Sequence, residues 1–168
     1  MSQSPILTMR PVTSADEAEI SFLHADVFGP GRFARSAYRV REGTSFASPF
    51  CRAVVDESGR IIASLRLTPV TVGGTPGALL LGPLAVHPSF ANQGYGRRMV
   101  ADSFAAATDA GFKLVLLVGN LSYYARLDFV AVPPGQFWLP GPADPVRVLA
   151  RELVSGCLPE FRGLLEAA

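Results

Sequence analysis

The stretch Leu81-Gly-Pro-Leu-Ala-Val-His-Pro-Ser-Phe-Ala-Asn-Gln-Gly-Tyr-Gly-Arg-Arg-Met99 carries most of the information in this sequence. It begins inside a continuously apolar run, residues 78–86, which reads as a strand buried on both faces. A short loop follows, and a helix opens at Gly94 and Gly96. Glycine lets a backbone approach a ligand closely, and the first amides of a helix have no internal partner. Such an end carries about half a unit of positive charge and holds phosphates without needing a lysine. Arg97 and Arg98 add two candidate charge-assisted donors. Taken alone, Gly-x-Gly after a strand equally marks a helix packed closely on a sheet. A dinucleotide fingerprint fits poorly, because no third glycine follows at the right offset and hairpins precede the segment. A P-loop is excluded for want of Gly-Lys-Ser/Thr.

Downstream of the loop, residues 94–110 read as an amphipathic helix. Gly96, Val100, Phe104 and Ala107 line one face, Arg98, Asp102 and Asp109 share the other, and Gly111 supplies the stop. Residues 114–118 form a short apolar strand, and residues 122–127 a brief helix leading to Phe129. Strand candidates near 137–139 and 147–153 precede a polar tail. Upstream, residues 50–56 and 60–72 are β-rich runs separated by Glu57-Ser58-Gly59, a hairpin signal, and Gly73-Gly74 turns the chain into the apolar run. The chain opens with a strand at 6–11 and a helix start where Ser14 and Glu17 have capping-box spacing. Ile20, Leu23, Val27 and Phe28 recur at helical spacing, and Gly29-Pro30-Gly31 ends that helix. A second helix is expected at 33–41, closed by Gly43. No repeat, low-complexity segment or long linker interrupts this order, which implies one α/β domain over residues 1–168, a mixed sheet flanked by helices.

Composition narrows the function classes. A chain of 168 residues, 49% hydrophobic, supports one globular core. A formal net charge of +1 points to neither nucleic acid nor a membrane surface. Cys51 and Cys157 are the only cysteines and have no CxxC spacing or histidine cluster, so neither a disulfide scaffold nor a metal site is expected; both read as packing residues. The opening MSQSPILTMR lacks a basic region followed by a long apolar one, and no apolar run reaches the roughly 18 residues of a membrane span. A cytoplasmic protein is the expectation.

The loop and its flanks resemble the GNAT superfamily of N-acetyltransferases, whose acyl-CoA loop has the form Q/R-x-x-G-x-G/A after a strand ending in x-V-x-P. Leu84-Ala-Val-His-Pro matches the strand end and Ala91-Asn-Gln-Gly-Tyr-Gly the loop, with Ala91 where the family has Gln or Arg. Leu116-Leu-Val-Gly-Asn-Leu-Ser-Tyr-Tyr-Ala-Arg-Leu-Asp-Phe resembles the same superfamily's Y-x-x-x-G-F signature. It is closest to a bacterial subgroup with V-G-D-P-x-Y-Y-x-R-F-G-F and L-P-G-P-x-D-P motifs, the latter matched at Leu139-Pro-Gly-Pro-Ala-Asp-Pro. Asn120 replaces the Asp of that subgroup and Asp128 the Gly.

The resemblance implies an α/β (α+β) fold with a mixed, mostly antiparallel sheet, a splayed parallel strand pair and flanking helices. It implies transfer of an acetyl or other acyl group from acyl-CoA to a small-molecule or peptide amine. Tyr124 takes the place of the proton donor to the departing thiolate, a role a phenol suits because thiols titrate near 8.5. Leu84, Ala85 and Val86 fall on the strand that pairs with the pantetheine arm. Asn92, Gln93, Gly94, Tyr95, Gly96 and Arg97 fall on the phosphate loop. Asn120 either bonds the cofactor or caps the next helix. Tyr123, beside Tyr124, faces differently on a helix and is assigned mainly to packing, while it also counts among the candidate cofactor-binding residues.

A general base is not evident. The strand before the loop carries no carboxylate, and His87 just beyond it is either a base or a solvated loop residue. A water relay, or an amine that arrives neutral, needs no side-chain base. The arginine-rich stretch from Arg32 to Arg41 is either an acceptor-site wall facing an anionic acceptor or an acyl carrier protein, or a solvated helix with Phe33, Ala37 and Val40 inward. Trp138 lines an acceptor pocket or packs in a core or interface. Two alternatives accompany the amine acetyltransferase: an enzyme taking longer acyl-CoA or carrier-protein donors, and a CoA-binding sensor without catalysis. A second copy of the chain is a further open partner.

Overall fold

The computed structural model describes residues 7–28, 40, 48–140 and 147–168. Within them the chain runs β1 (Thr8–Pro11), α1 (Glu17–Phe28), β2 (Arg52–Val55), β3 (Ile61–Val72), β4 (Thr75–Val86), α2 (Tyr95–Asp109), β5 (Leu114–Val118) and α3 (Leu121–Tyr124). It continues through β6 (Val130–Ala131), β7 (Phe137–Trp138), β8 (Val148–Glu152) and β9 (Gly163–Ala167). The helix expected at 33–41, its arginines, the Gly29-Pro30-Gly31 stop and residues 141–146 of the proline-rich motif lie outside the described residues, Val40 excepted, which is helical and buried.

β1 to β4 form an antiparallel meander, β4 pairs β5 in parallel, and β8 and β6 extend the sheet antiparallel beyond β5. β9 pairs antiparallel with the far end of β3 and parallel with β7. The period-2 alternation of side chains explains why β4 and β5 read as continuously apolar. Leu79, Leu81, Val115 and Leu117 point into one core with Met99, Val100, Phe104 and Ala107 of α2. Ala78, Leu80, Leu114 and Leu116 point into a second core on the other face. At the β2 end of that other face, Ile20 and Leu23 of α1 cover Ala53, Val55, Ile61 and Ala85. The helical faces read from Gly96, Val100, Phe104 and Ala107 and from Ile20 and Leu23 are the buried ones.

Two local expectations are corrected. The cap before α1 is built one residue early: the Asp16 carboxylate accepts from the Thr13 N–H at 2.8 Å, so Thr13 and Asp16 take the places expected for Ser14 and Glu17. Arg10 explains the shift, because its guanidinium holds Asp16 through two bonds of 2.7 and 2.9 Å. The polar tail contains β9, where Gly163 and Leu165 are buried and Leu164 and Glu166 are exposed. Five residues of alternation with a glycine in them carry little period-2 signal.

One irregularity positions everything that follows. Leu65 pairs Leu84 and Leu67 pairs Leu81, so Arg66 on β3 faces two residues, Gly82 and Pro83, on β4. This bulge bends β4 and leaves its distal half turned away from the line of its proximal half. The parallel pairing with β5 ends at Leu80 and Leu116, immediately before the bulge. From Leu81 to Val86, β4 is paired on the β3 side and, among the described residues, has no strand partner on the β5 side.

Candidate functional site

The open edge of β4 presents specific groups. In an antiparallel ladder, residues alternate between bonding the neighbour and facing away. His87 donates its N–H to the Ile62 carbonyl at 2.8 Å, which puts Ala85, two residues earlier and in register with Ser64, in the bonding position toward β3. The N–H and C=O of Leu84 and Val86 therefore face the gap left by β5. Ala85, counted with them from the sequence, turns its backbone groups into the ladder and its side chain into the core under α1.

The loop after β4 is rigidly specified. His87 accepts the Ser89 N–H on Nδ1 at 3.2 Å and caps a 3-10 turn, Pro88–Phe90. That bond gives His87 a structural use and occupies the nitrogen lone pair a general base would need. Asn92 and Gly94 then adopt left-handed backbone, with φ of 61° and 86°, and the chain enters α2 at Tyr95. Asparagine tolerates this region and glycine prefers it. The first intrahelical bond into the turn, from the Arg98 N–H to the Gly94 carbonyl at 3.0 Å, leaves the amides of Tyr95, Gly96 and Arg97 ahead of it without helical acceptors. A Cβ added at Gly94 would meet no described atom beyond its chain neighbours within 4 Å, so space is open beside the helix start.

A cleft of about 440 Å³ occupies that space. Val86, Phe90 and residues 91–97 form one wall, and Tyr123, Arg126 and Leu127 form the other. The structure thus gathers Val86, Asn92, Gln93, Gly94, Tyr95, Gly96, Arg97 and Tyr123 of the residues singled out from the sequence. Leu84 lies just beneath, its Cδ2 3.9 Å from where a Gly96 Cβ would stand. The Tyr123 hydroxyl is 3.3 Å from the same point, so the absence of a side chain at Gly96 lets this phenol reach the first turn of α2. Tyr123 is half exposed and lines the cleft while its ring packs on Tyr124.

Tyr124 faces differently. Its ring packs edge-on against Tyr123 at 4.9 Å and Phe129 at 5.9 Å, at the rim of the core beneath α2. Gly119, at the end of β5, is the floor on which it sits: a Cβ there would lie 2.5 Å from Tyr124 Cε2. Asn120 begins α3 with its backbone, its carbonyl accepting the N–H groups of Tyr123 and Tyr124 at 3.2 and 3.0 Å. It stands at the N-cap position of α3, and its exposed side chain makes no capping bond. Asp128 ends the following 3-10 turn with φ 65°, the conformation for which glycine is the usual residue.

Charge in the cleft has one sign. Among the described residues its lining includes Arg97 and Arg126 and no carboxylate. Arg97 donates to the Arg126 carbonyl at 3.3 Å, which ties α2 to the turn after α3. Arg98 instead lies over the Tyr95 ring at 5.9 Å and does not line the cleft. Arg126 and Leu127 line the cleft and Gly119 seats Tyr124, and the sequence reading singled out none of the three for the site; Arg126 stood within the quoted motif, two residues beyond Tyr124. Behind β4, on the α1 face, His24 is buried with Nε2 3.4 Å from Ser64 Oγ. Trp138 is 55% exposed on β7 and is not part of the cleft. Cys51 and Cys157 are buried, as packing residues are. Among the described residues no group of three His, Cys, Asp or Glu side chains is placed to hold a metal ion, and no helix is long and apolar enough to cross a membrane.

A helix N-terminus facing open space, beside an unpaired strand edge, is a site for an anion joined to an extended, amide-bearing chain. Known proteins bear on this. The model of the acetyltransferase (GNAT) family matches residues 18–129. The chain belongs to that family. Its fold is the GNAT fold: a mixed, mostly antiparallel sheet with the parallel β4–β5 pair and flanking helices. The GNAT family N-acetyltransferase YhbS from Escherichia coli, solved in complex with CoA, superposes with a TM-score of 0.81 at 21% identity over 100% of this chain and 93% of that one. A GNAT family acetyltransferase from Brucella melitensis, in complex with acetyl-CoA, gives 0.62 at 23% identity over 87% and 96%. Diaminobutyrate acetyltransferase EctA from Paenibacillus lautus, in complex with L-2,4-diaminobutyric acid and coenzyme A, gives 0.59 at 13% identity over 89% and 95%. No curated protein matches the sequence.

Proposed function

We propose that this GNAT chain is a single-domain N-acyltransferase that moves an acetyl group, or another acyl group, from acyl-CoA to a primary amine. The observation that carries the reading is the junction of two features: the open α2 N-terminus and the unpaired edge of Leu84 and Val86. Diphosphate oxygens suit the amides of residues 95–97, and the two amides of a pantetheine arm suit the strand edge as an added strand would. Ala91 supplies no polar side chain, so the backbone carries the phosphate binding. The resemblance to YhbS and to the Brucella protein, both solved with CoA species, supports the same donor. No metal enters the reading.

The chemistry assigned to these residues is simple. A neutral amine attacks the thioester carbonyl carbon; the C–N bond forms, the C–S bond breaks, and the sulfur leaves with the electron pair. Tyr124 donates its phenolic proton to that sulfur, and the amine proton passes to water. An N–H on the gap edge of β4 is suited to stabilise the carbonyl oxygen as charge develops. The acceptor approaches from the α1 face, where β3 carries the buried polar side chains Ser64, Arg66 and Thr68.

The test is thiol release from acetyl-CoA across a panel of small amines and peptide N-termini, with donor binding measured separately. Wild-type protein releases CoA with at least one amine class, and Tyr124→Phe lowers kcat by about 10² to 10⁴, the usual weight of one acid–base group, with donor affinity retained. The lack of a carboxylate on β4 favours the sensor as a second reading. Donor binding without turnover on any amine would select it, and absence of donor binding would remove both.

A further inference from the structure

The cleft holds more positive charge than a diphosphate at a helix terminus needs. The amides of residues 95–97 face along the axis of α2, whereas the Arg97 guanidinium is drawn sideways onto the Arg126 carbonyl at 3.3 Å. Arg126 stands on the facing wall, beside the carbonyl that Arg97 reaches, and among the described residues the lining holds no carboxylate to neutralise either. The ion pairs among the described residues involve Arg10, Arg52 and Lys113, so neither cleft arginine is spent on one. Arg98, the third arginine nearby, is turned onto Tyr95. Two arginines therefore line the cleft beside the helix end, and their forked donors suit a phosphate monoester.

We infer that Arg126, with Arg97 beside it, reads the 3′-phosphate on the ribose of the donor and makes the chain selective for CoA thioesters over their dephospho forms. The inference rests on the acyl-CoA reading above and adds a specificity residue to it. The ribose joins the diphosphate directly, so its 3′-phosphate lies beside the diphosphate rather than on the helix axis. Arg97 contributes both one guanidinium and the tie that holds the Arg126 turn against α2. The Arg126 side chain is exposed and only its backbone carbonyl takes part in the tie to Arg97, so its replacement leaves the core intact.

Isothermal titration of CoA and dephospho-CoA into the full chain tests this, with Arg126→Gln and Arg126→Lys as variants. Wild type is expected to prefer CoA by about tenfold, the scale of one charge-assisted contact, with a preference that shrinks as salt rises. Arg126→Gln brings the ratio of the two affinities close to one, and Arg126→Lys keeps part of it. Equal binding of both nucleotides by wild type overturns the inference. So does an Arg126→Gln variant that weakens both by the same factor, since the guanidinium would then serve the diphosphate. Binding of neither nucleotide overturns the donor-site reading and this one together.

Discussion

Replacing Gly119 with alanine is the sharpest perturbation this structure offers, because it touches the proposed acid without changing it. The added Cβ would stand 2.5 Å from Tyr124 Cε2, 3.0 Å from Cδ2 and 3.1 Å from Leu117 Cδ1. Ordinary carbon contacts begin near 3.5 Å, so the phenol ring has to retreat by about 1 Å. Phe129 and Tyr123 close two of the directions it has. A misplacement of that size at a reacting group costs up to about 10²-fold in rate, while the overpacking costs about 1–3 kcal/mol of stability. Steady-state kinetics with acetyl-CoA and an accepted amine, together with urea unfolding, measure both. Gly119→Ala is expected to lower kcat by about 10- to 100-fold, and to do little further harm in a Tyr124→Phe background, since the group being displaced is already gone. A variant with kcat near the wild-type value would refute the claim that Gly119 seats a catalytic phenol. So would losses that simply multiply in the double variant.

Two further predictions concern stability. Asp128 holds a left-handed conformation at φ 65°, which costs an L-residue about 1 kcal/mol relative to glycine, so Asp128→Gly should raise Tm by about 2–4 °C; a fall would mean that the carboxylate has a role of its own. The hydrogen bond from Arg10 holds the Asp16 carboxyl down to about 2, from an ordinary 3.8. A depressed carboxylate favours the folded state above its unfolded pKa, and that contribution fades as pH falls from about 4 to about 2. Wild type should therefore exceed Asp16→Asn by about 1–2 kcal/mol in urea unfolding at neutral pH, allowing for solvent screening, with the gap closing across that acid window. A gap independent of pH would assign the difference to packing.

The central fold was legible because its signals are local and strong. Residues 78–86 announced a strand buried on both faces, Gly94 and Gly96 the start of a helix, and Val100, Phe104 and Ala107 its buried face. The conformation of the loop could be read for the same reason: backbone amides at a helix start depend on chain conformation, and glycines mark that conformation. What escaped the sequence depends on distance in the fold. Arg126 and Leu127 face a wall some thirty residues upstream, and nothing in their own neighbours says so. Gly119 looked like the end of a strand until the Tyr124 ring was placed upon it. His24 reaches Ser64 only through the packing of α1 on β3. Ala85 was included because it sits between two residues that face the gap, and the period-2 ladder turns it the other way.

The bulge at Gly82 and Pro83 has a consequence beyond shaping the site. A sheet normally exposes unsatisfied backbone groups only along its outer strands, where proteins defend them with charge, proline or a covering loop. Here the same kind of margin lies in the interior of the sheet, between two of its best-buried strands. A foreign strand arriving from solution meets the flanking walls before it meets that margin, so a single narrow chain carrying its own amides is the natural occupant. On the proposed acyl-CoA reading, the donor would complete the hydrogen-bond ladder as a temporary tenth strand, and the amides of Leu84 and Val86 should exchange slowly with deuterium only while it is bound.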